Sequence, residues 1–299
     1  MPLETIHFFL NPTAGRGRAG RRQERMLELL KLGGVNVKLC PSHAPGDLEA
    51  QVFHYVNAGA TRLIVAGGDG SVHEAVNGIM RSSGDAALAV IPTGTGNDFA
   101  KACDIPLNWE HATQLLADRL NANDAPRKID LGMMNDRYFA NGAGVGFDAK
   151  VTRIASTIQL PIGDLVYVLA IIRALIDGIA TPRLTISSEN ISWQGPVTLV
   201  SINNGPWVGS MFHIAPMADN ADGRLEVLVA GPVTRRRILT LLPKIMNGSH
   251  LEEPEISHGA VTDLIIRSDA PIESQLDGEV QALASIFRLQ ILPGALRLL

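Results

Sequence analysis

The sequence predicts an α/β protein in two parts, an open parallel α/β domain over residues 1–126 followed by an antiparallel β-sandwich over 127–286. Three observations predict it. Through residue 101, short apolar runs alternate with helix-spaced segments across short loops, the pattern of a parallel sheet covered on both faces. Past Pro126 the rhythm changes to short β-like runs separated by turns. Two loops of the first part are rich in glycine, and each stands between a strand-like run and a helix-like one.

Taken in order, residues 6–10 (Ile-His-Phe-Phe-Leu) read as a buried strand, 11–15 as a turn, and 18–32 as an amphipathic helix stopped by Gly33-Gly34. A second strand at 35–39 and a second helix at 47–57 follow. A third strand at 63–65 enters Gly67-Gly-Asp-Gly70, with a helix over 71–80 behind it. Residues 88–91 are a fourth strand, and 97–101 open another helix, where Asn97 and Asp98 either help position a phosphate or metal or cap the helix. In the second part, runs at 129–134 and 137–141 flank an Asn135-Asp136 turn, and further strands are expected at 183–187, 197–203, 225–229, 264–268 and 286–292. Helical stretches at 162–179 and 234–246 interrupt them. With no repeat and no low-complexity linker, the two parts are expected to meet in a cleft, where small ligands commonly bind.

Composition narrows the classes of function. Hydrophobic residues at 46% against 19% charged describe a chain folded throughout. A net charge of -4 gives no field that gathers nucleic acid, so nucleic acid is excluded as a partner and any anion must be held locally. Cys40 and Cys103 are too few to staple the chain and stand in no paired metal spacing, which fits a reducing cytoplasm. The first residues lack the basic start and apolar run of a secretory signal. The apolar stretch 165–176 carries Arg173 and falls short of the roughly 20 residues that cross a bilayer.

The glycine turns carry the chemistry. Glycine lets backbone approach a ligand with no Cβ between, and the first N–H groups of a helix favour negative charge, so two such turns side by side make an anion cradle. An aspartate embedded among three glycines, Asp69, is a poor choice for a plain turn. An earlier match, Gly15-Arg-Gly-Arg-Ala-Gly20, has the form of a dinucleotide fingerprint, but the next strand ends Leu39-Cys-Pro-Ser-His43 with no carboxylate to hold a ribose. Its arginines 16, 18, 21 and 22 then read as a solvated helix start. No Walker lysine motif occurs, so backbone amides must grip any phosphate.

Gly67-Gly-Asp-Gly-Ser-Val-His-Glu-Ala-Val-Asn-Gly78 together with Pro92-Thr-Gly-Thr-Gly-Asn-Asp-Phe-Ala100 resembles the signature of the diacylglycerol kinase catalytic-domain family. Asn11-Pro-Thr-Ala-Gly15, Asn141-Gly-Ala-Gly-Val-Gly-Phe-Asp148, Ala221-Asp-Gly-Arg-Leu225 and Asp277-Gly-Glu279 follow in family order, and the layout is most similar to the soluble bacterial, YegS-like branch. The resemblance implies a first domain like those of phosphofructokinases and NAD kinases, to which residues 287–299 return. It also implies a lipid-binding β-sandwich, ATP in the cleft and magnesium as the ion. The activity implied is transfer of the γ-phosphate to a hydroxyl of a lipid such as diacylglycerol, phosphatidylglycerol or a sphingoid base.

Carried over by residue, the resemblance assigns the nucleotide to Asn11, Pro12, Thr13, Ala14, Gly15, Ser42, Gly67, Gly68, Asp69, Gly70, Ser71, Val72, His73, Glu74 and Thr95. Asp69 faces magnesium. Glu279 accepts the proton of the acceptor hydroxyl, and Asp277 supports the metal or that hydroxyl. Asp219, Asp222 and Arg224 correspond to a second metal site, with the Asp222 side chain and the backbone oxygens of the other two as ligands. Glu74 and Asn77 also read simply as a helix-start charge and a surface amide, Asp277-Gly-Glu279 as a turn, and Asp222-Gly223 as a hairpin turn.

The stretch 165–176, apolar nearly all round, reads as a buried core helix or as the wall of an acyl-chain groove. Arg235-Arg-Arg237 opens a helix with Ile238, Leu241, Leu242 and Ile245 on its apolar side, which either packs on the core or docks to anionic lipid. The protein is expected in the cytoplasm, with transient peripheral contact at the inner face of the membrane. Two other readings stand beside it: an NAD kinase-like enzyme, which shares Gly67-Gly-Asp-Gly70 but against which the stretch 92–99 argues, and a nucleotide-binding module without catalysis.

Overall fold

A computed structural model describes residues 5–158, 160, 163 and 165–299. The chain divides into two compact units, one of residues up to Ile129 together with Gly294–Leu299, the other of Asp130–Pro293.

In the first unit, β1 (Ile6–Leu10), β2 (Val37–Pro41), β3 (Arg62–Gly67) and β4 (Ala87–Pro92) form a parallel sheet in the order β2-β1-β3-β4. Helices α1 (Ala14–Leu32), α2 (Asp47–Asn57) and α3 (Asp69–Arg81) make the crossovers, followed by the short α4 (Asp98–Ala102) and by α5 (Trp109–Asn121). Strands buried on both faces need continuous apolar runs, which is why Leu63, Ile64, Val65 and Ala66 are all inaccessible to solvent. The second strand lies two residues later than the apolar run 35–39 suggests. The regular part of α1 starts after Gly15, Arg16 and Gly17, all left-handed with φ of 58, 62 and 78°. Helix α5 is not anticipated by the pattern reading, although Asn108 caps it by accepting from the amides of Glu110 and His111.

The second unit is an antiparallel sandwich. One sheet runs β12 (Ile256–Val261), β11 (Leu225–Ala230), β10 (Leu199–Asn203), β7 (Gly142–Gly146), β14 (Ser274–Leu276) and β15 (Glu279–Val280). The other contains β5 (Arg127–Met134), β6 (Arg137–Phe139), β8 (Arg183–Ser187), β9 (Ser192–Pro196), β13 (Asp263–Ile272) and β16 (Ala284–Leu298). Their inward residues, among them Val145, Val200, Val227 and Leu276 from one sheet and Ile186, Ile266, Phe287 and Leu289 from the other, make one apolar core. Strands β7, β9, β12, β14 and β15 carry glycine, serine or a charge where alternation would need an apolar residue, and the sequence reading assigns none of them. Strand β16 pairs antiparallel with β13 near its start, and its last residues pair parallel with β4 inside the first unit.

Helices α6 (Phe147–Thr157), α7 (Leu165–Asp177) and α8 (Arg235–Asn247) share a second, smaller core. Residue 162, where the helix over 162–179 is expected to begin, lies outside the described residues. That helix is not buried on every face: Val166, Ala170 and Ala174 are buried while Leu165, Leu169, Ile172 and Ile176 are exposed. No helix among the described residues is long and apolar enough to cross a membrane.

Candidate active site

In the first unit, β2 lies on one side of β1 and β3 on the other, so the chain reverses its progress across the sheet between β1 and β3. Loops leaving the carboxyl ends of strands at such a point diverge and open a crevice, where α/β sheets bind ligands. Three loops converge there. The Asn11 amide donates to the Ala66 carbonyl (3.2 Å), and the Asn11 side chain donates to the Ser71 hydroxyl (3.3 Å) while accepting from the Thr13 amide (3.0 Å) and hydroxyl (2.7 Å). The buried Ser42, at the end of β2, donates its amide to Leu10 O (2.8 Å) and so stands beside Asn11.

The two glycine turns touch through backbone. Gly67 O accepts from the amides of Thr93 (2.9 Å) and Gly94 (3.2 Å). A Cβ on Gly94 would stand 2.4 Å from the Gly68 Cα, so a side chain at 94 would push the turns apart. Gly15 closes the third side, where a Cβ would lie 2.2 Å from Thr93 O. Asn97, with φ of 53°, stands at the start of α4 but does not cap it with its side chain as expected; it braces the second turn instead, accepting from the Gly94 amide (3.0 Å) and donating to its carbonyl (3.2 Å).

Asp69 is the first residue of α3, and its Oδ1 accepts from the Phe99 amide (3.0 Å) at the start of α4. A Cβ on Gly96 would sit 3.0 Å from Asp69 Oδ2, so the carboxylate lies across the second turn. The remaining residues assigned to the nucleotide divide by exposure. Gly70 and Thr95 are half-buried at the turns, as are Pro12 and Ala14 in the first loop. Val72 and His73 are buried within α3, and Glu74 Oε2 accepts from the Glu49 amide (3.2 Å) of α2. Asn77 is no surface amide. It is 0% exposed and donates to His73 O (2.9 Å).

Arg18 is a residue the sequence reading passes over as part of a solvated helix start. Its Nε donates to Gly15 O (3.0 Å) and its Nη2 to Gly94 O (3.1 Å), which sets a guanidinium against two of the three loops. Its spacing from Gly15 is the one local signal, and it means nothing until Gly94 is brought alongside.

In the second unit, Asp277 and Gly278 form a two-residue hairpin between β14 and β15, with φ of 50 and 88°, the left-handed pair that a type I′ turn needs. The plain-turn reading therefore holds, and the turn is also heavily anchored. Asp277 Oδ1 accepts from the amides of Asn141 (2.8 Å) and Gly142 (3.1 Å), and Oδ2 from the Ala140 amide (2.9 Å). Gln275 accepts from the Gly278 amide (2.8 Å) and donates to Asp148 Oδ2 (2.7 Å). Gly144 makes room for this pair, since a Cβ there would lie 1.8 Å from Asp148 Oδ2. Burial pushes the Asp148 carboxyl above its ordinary pKa, with the hydrogen bond from Gln275 opposing. Glu279 follows the hairpin, exposed, on the two-residue edge strand β15.

The loop holding Asp219, Asp222 and Arg224 is folded on its own side chains. Asp219 Oδ1 accepts from the Ala221 amide (3.0 Å), Asp222 Oδ1 from the Arg224 amide (2.9 Å), and Asp130 Oδ2 from the Gly223 amide (2.7 Å). It is an anchored loop with Gly223 at φ 74°, without two paired strands, and so differs from the simple hairpin. Burial raises the Asp222 pKa, and the charges of Asp219 and Asp130 raise it further. Among the described residues no three His, Cys, Asp or Glu side chains are grouped to hold a metal. The donor set that the resemblance implies, one carboxylate and two backbone oxygens, does not require such a group, and mutually repelling carboxylates fit a cation.

The family model described as the diacylglycerol kinase catalytic domain matches residues 5–134, and that described as the YegS C-terminal NAD kinase beta sandwich-like domain matches residues 142–299. The chain belongs to the family of diacylglycerol kinases and YegS-like lipid kinases. A relative from Pseudomonas aeruginosa (strain UCBPP-PA14), named "Probable lipid kinase YegS-like", is 30% identical over 253 residues, 84% of this chain and 80% of its own. The diacylglycerol kinase of Bacillus subtilis (strain 168) is 26% identical over 282 residues, 93% of this chain and 90% of its own. The fold is shared with a diacylglycerol kinase crystal structure from Bacillus anthracis str. Sterne, at a TM-score of 0.75 and 21% identity, covering 100% of this chain and 97% of that one. In this member of the family, the signature glycines are thus the residues that let three loops close on one another.

Proposed function

We propose that this chain is an ATP-dependent lipid kinase that transfers the γ-phosphate of ATP to the hydroxyl of a membrane lipid. The observation that carries the reading is the backbone contact between the Gly68 and Gly94 turns at the reversal point of the parallel sheet, a cradle that a single Cβ would fill. Family membership supplies the class of reaction.

In this reading Asn11, Pro12, Thr13, Ala14 and Gly15, with Ser42, Gly67–Ser71 and Thr95, hold the triphosphate through amides and hydroxyls. Val72, His73 and Glu74 support that turn from behind. Arg18 adds fixed positive charge. Asp69 is a carboxylate inside an anion cradle and would hold a magnesium ion, which when bound would offset phosphate charge. Glu279, exposed on the short edge strand β15, takes the proton from the lipid hydroxyl as the hydroxyl oxygen bonds to the γ-phosphorus and ADP leaves. Asp277 is better described as a positioning residue, because its carboxylate is already engaged by three amides. Asp222, with the backbone oxygens of Asp219 and Arg224, would hold a second cation, which would order the sandwich rather than take part in the transfer. Diacylglycerol, phosphatidylglycerol and sphingoid bases are the acceptor candidates. The enzyme works from the cytoplasm by transient contact with the inner membrane face.

The test is incubation of the purified protein with a total lipid extract and γ-labelled ATP, with the labelled product identified by mass. Label in an extractable lipid is the expected result. Label in NADP when NAD is supplied instead would make the enzyme an NAD kinase, and nucleotide binding without transfer to either would make it a binding module.

A further inference from the structure

Helix α7 has two apolar faces. Val166 is buried, and Ala170, Ile171, Ala174 and Leu175 are buried in the helical core. On the opposite side Leu165 (57% exposed), Leu169 (37%), Ile172 (41%) and Ile176 (68%) follow one another at steps of four, three and four residues, which puts them in a single stripe along the helix. Helix α8 repeats the arrangement. Ile238 and Leu241 face the core, while Leu239 and Met246 are 50% and 44% exposed on the same face as Arg235. Single exposed leucines are ordinary; six large apolar side chains on two helices of one core are not.

Charge says what covers them. In a chain of net charge -4, α7 and α8 carry Arg173, Arg235, Arg236, Arg237 and Lys244 against Asp177 alone. Arg173 pairs with Asp177 (3.2 Å), Arg237 is turned away into Glu253 and Glu255, and Lys244 into Glu253. Arg235 and Arg236 are exposed and make no ion pair among the described residues. The Arg235 guanidinium reaches to 4.0 Å from the Cβ position of Gly178, at the end of α7 beside the exposed Ile176. An apolar stripe rimmed by unpaired arginines suits an anionic bilayer, which takes up the leucines below the headgroups and the arginines among the phosphates. A second copy of this chain would set like charge against like.

We propose that the exposed faces of α7 and α8 are the surface by which this protein docks on anionic membranes, with Leu165, Leu169, Ile172 and Ile176 inserted and Arg235 and Arg236 at headgroup level. This rests on the lipid kinase reading only for its purpose, since docking is measured without catalysis.

The experiment is sedimentation of the intact protein, without ATP, with vesicles of phosphatidylcholine alone or mixed with phosphatidylserine, an anionic lipid with no glycerol hydroxyl to phosphorylate. Binding to the mixed vesicles, weakened by salt, is expected. Leu169→Glu/Ile172→Glu should lower partitioning about tenfold or more, and Arg235→Glu/Arg236→Glu severalfold with the salt dependence lost. Both variants should keep the wild-type circular dichroism and unfolding temperature, and their turnover of a dispersed short-chain diacylglycerol. Equal partitioning of wild type and variants overturns the proposal. So does a wild-type dimer that the variants dissociate, which makes the face a self-association surface. Vesicle binding that survives while short-chain turnover is lost makes it an acyl-chain site instead. Failure of the kinase reading would show as absent turnover with partitioning intact.

Discussion

The crevice of the first unit is made of backbone, whereas the hairpin of the second is made of side chains. Gly68 and Gly94 pack main chain on main chain, and Gly15 abuts Thr93 O, so the shape of the cradle depends on atoms that are absent. Gly278, in contrast, has nothing within 4 Å of its Cβ position, and its hairpin is fixed by the Asp277 carboxylate and the Gln275 amide. The difference follows from the work proposed for each. A polyanion is gripped by many amides at short range, which tolerates no intruding Cβ, while a proton acceptor needs one side chain aimed correctly, which anchoring from behind supplies.

The largest effect that would break this contrast is on turnover. Glu279→Gln should lower phosphoryl transfer about 10²–10⁴-fold while nucleotide affinity, measured by titration calorimetry, stays as in the wild type. Full activity in that variant would remove the proposed base and leave the second unit with no chemical role.

Next come the glycines themselves. Gly94→Ala should cost about 3 kcal/mol of stability and abolish nucleotide binding, because the turns must separate to admit the methyl group. Gly278→Ala should cost only about 1 kcal/mol, the strain of a left-handed φ, with nucleotide affinity unchanged. Thermal unfolding and nucleotide titration of the two variants side by side separate steric from conformational need. Equal penalties would erase the distinction.

Asp277→Asn keeps the size of the side chain but turns an amide donor toward backbone donors. A loss of about 2 kcal/mol is expected, with kcat falling more than the KM for ATP changes. A change in ATP affinity alone would place Asp277 with the nucleotide instead.

The smallest effect concerns pH. The Asp148 carboxyl is raised above its unfolded value, chiefly by burial, so the folded state binds its proton more tightly than the unfolded state does. The group therefore opposes folding at neutral pH, and that cost fades as pH falls through the folded value toward the unfolded one near 3.8. Asp148→Asn, which can still accept from Gln275, should raise the unfolding temperature at pH 7 on the order of 2 °C. The gain should vanish at about pH 4 or below. A pH-independent gain would sink the account of Asp148.

Much of the molecule was legible in the residues alone, and the reasons are local. Buried parallel strands must be continuously apolar, so β1, β3 and β4 announced themselves, and glycine at 67, 68, 94 and 96 marked the turns that admit no side chain. Where local pattern failed, pairing partners were doing the deciding: β7 is mostly glycine, and only its place between β10 and β14 makes it a strand. Helix α7 reads as buried on every face, and only the packing of α6 and α8 on one side of it leaves the other bare.

By itself, then, the sequence determined two parts, their sheet types, the glycine turns and the acidic residues that join them in one family, because hydrophobic period and backbone freedom act over a few residues. Tertiary structure alone decided that Arg18 meets Gly94 and that Asp130 holds the loop of Asp222. It also decided that the Asp277 carboxylate is claimed by amides 135 and more residues earlier. Such contacts are chosen by the closing of the whole chain, and no neighbour along the sequence carries their signal.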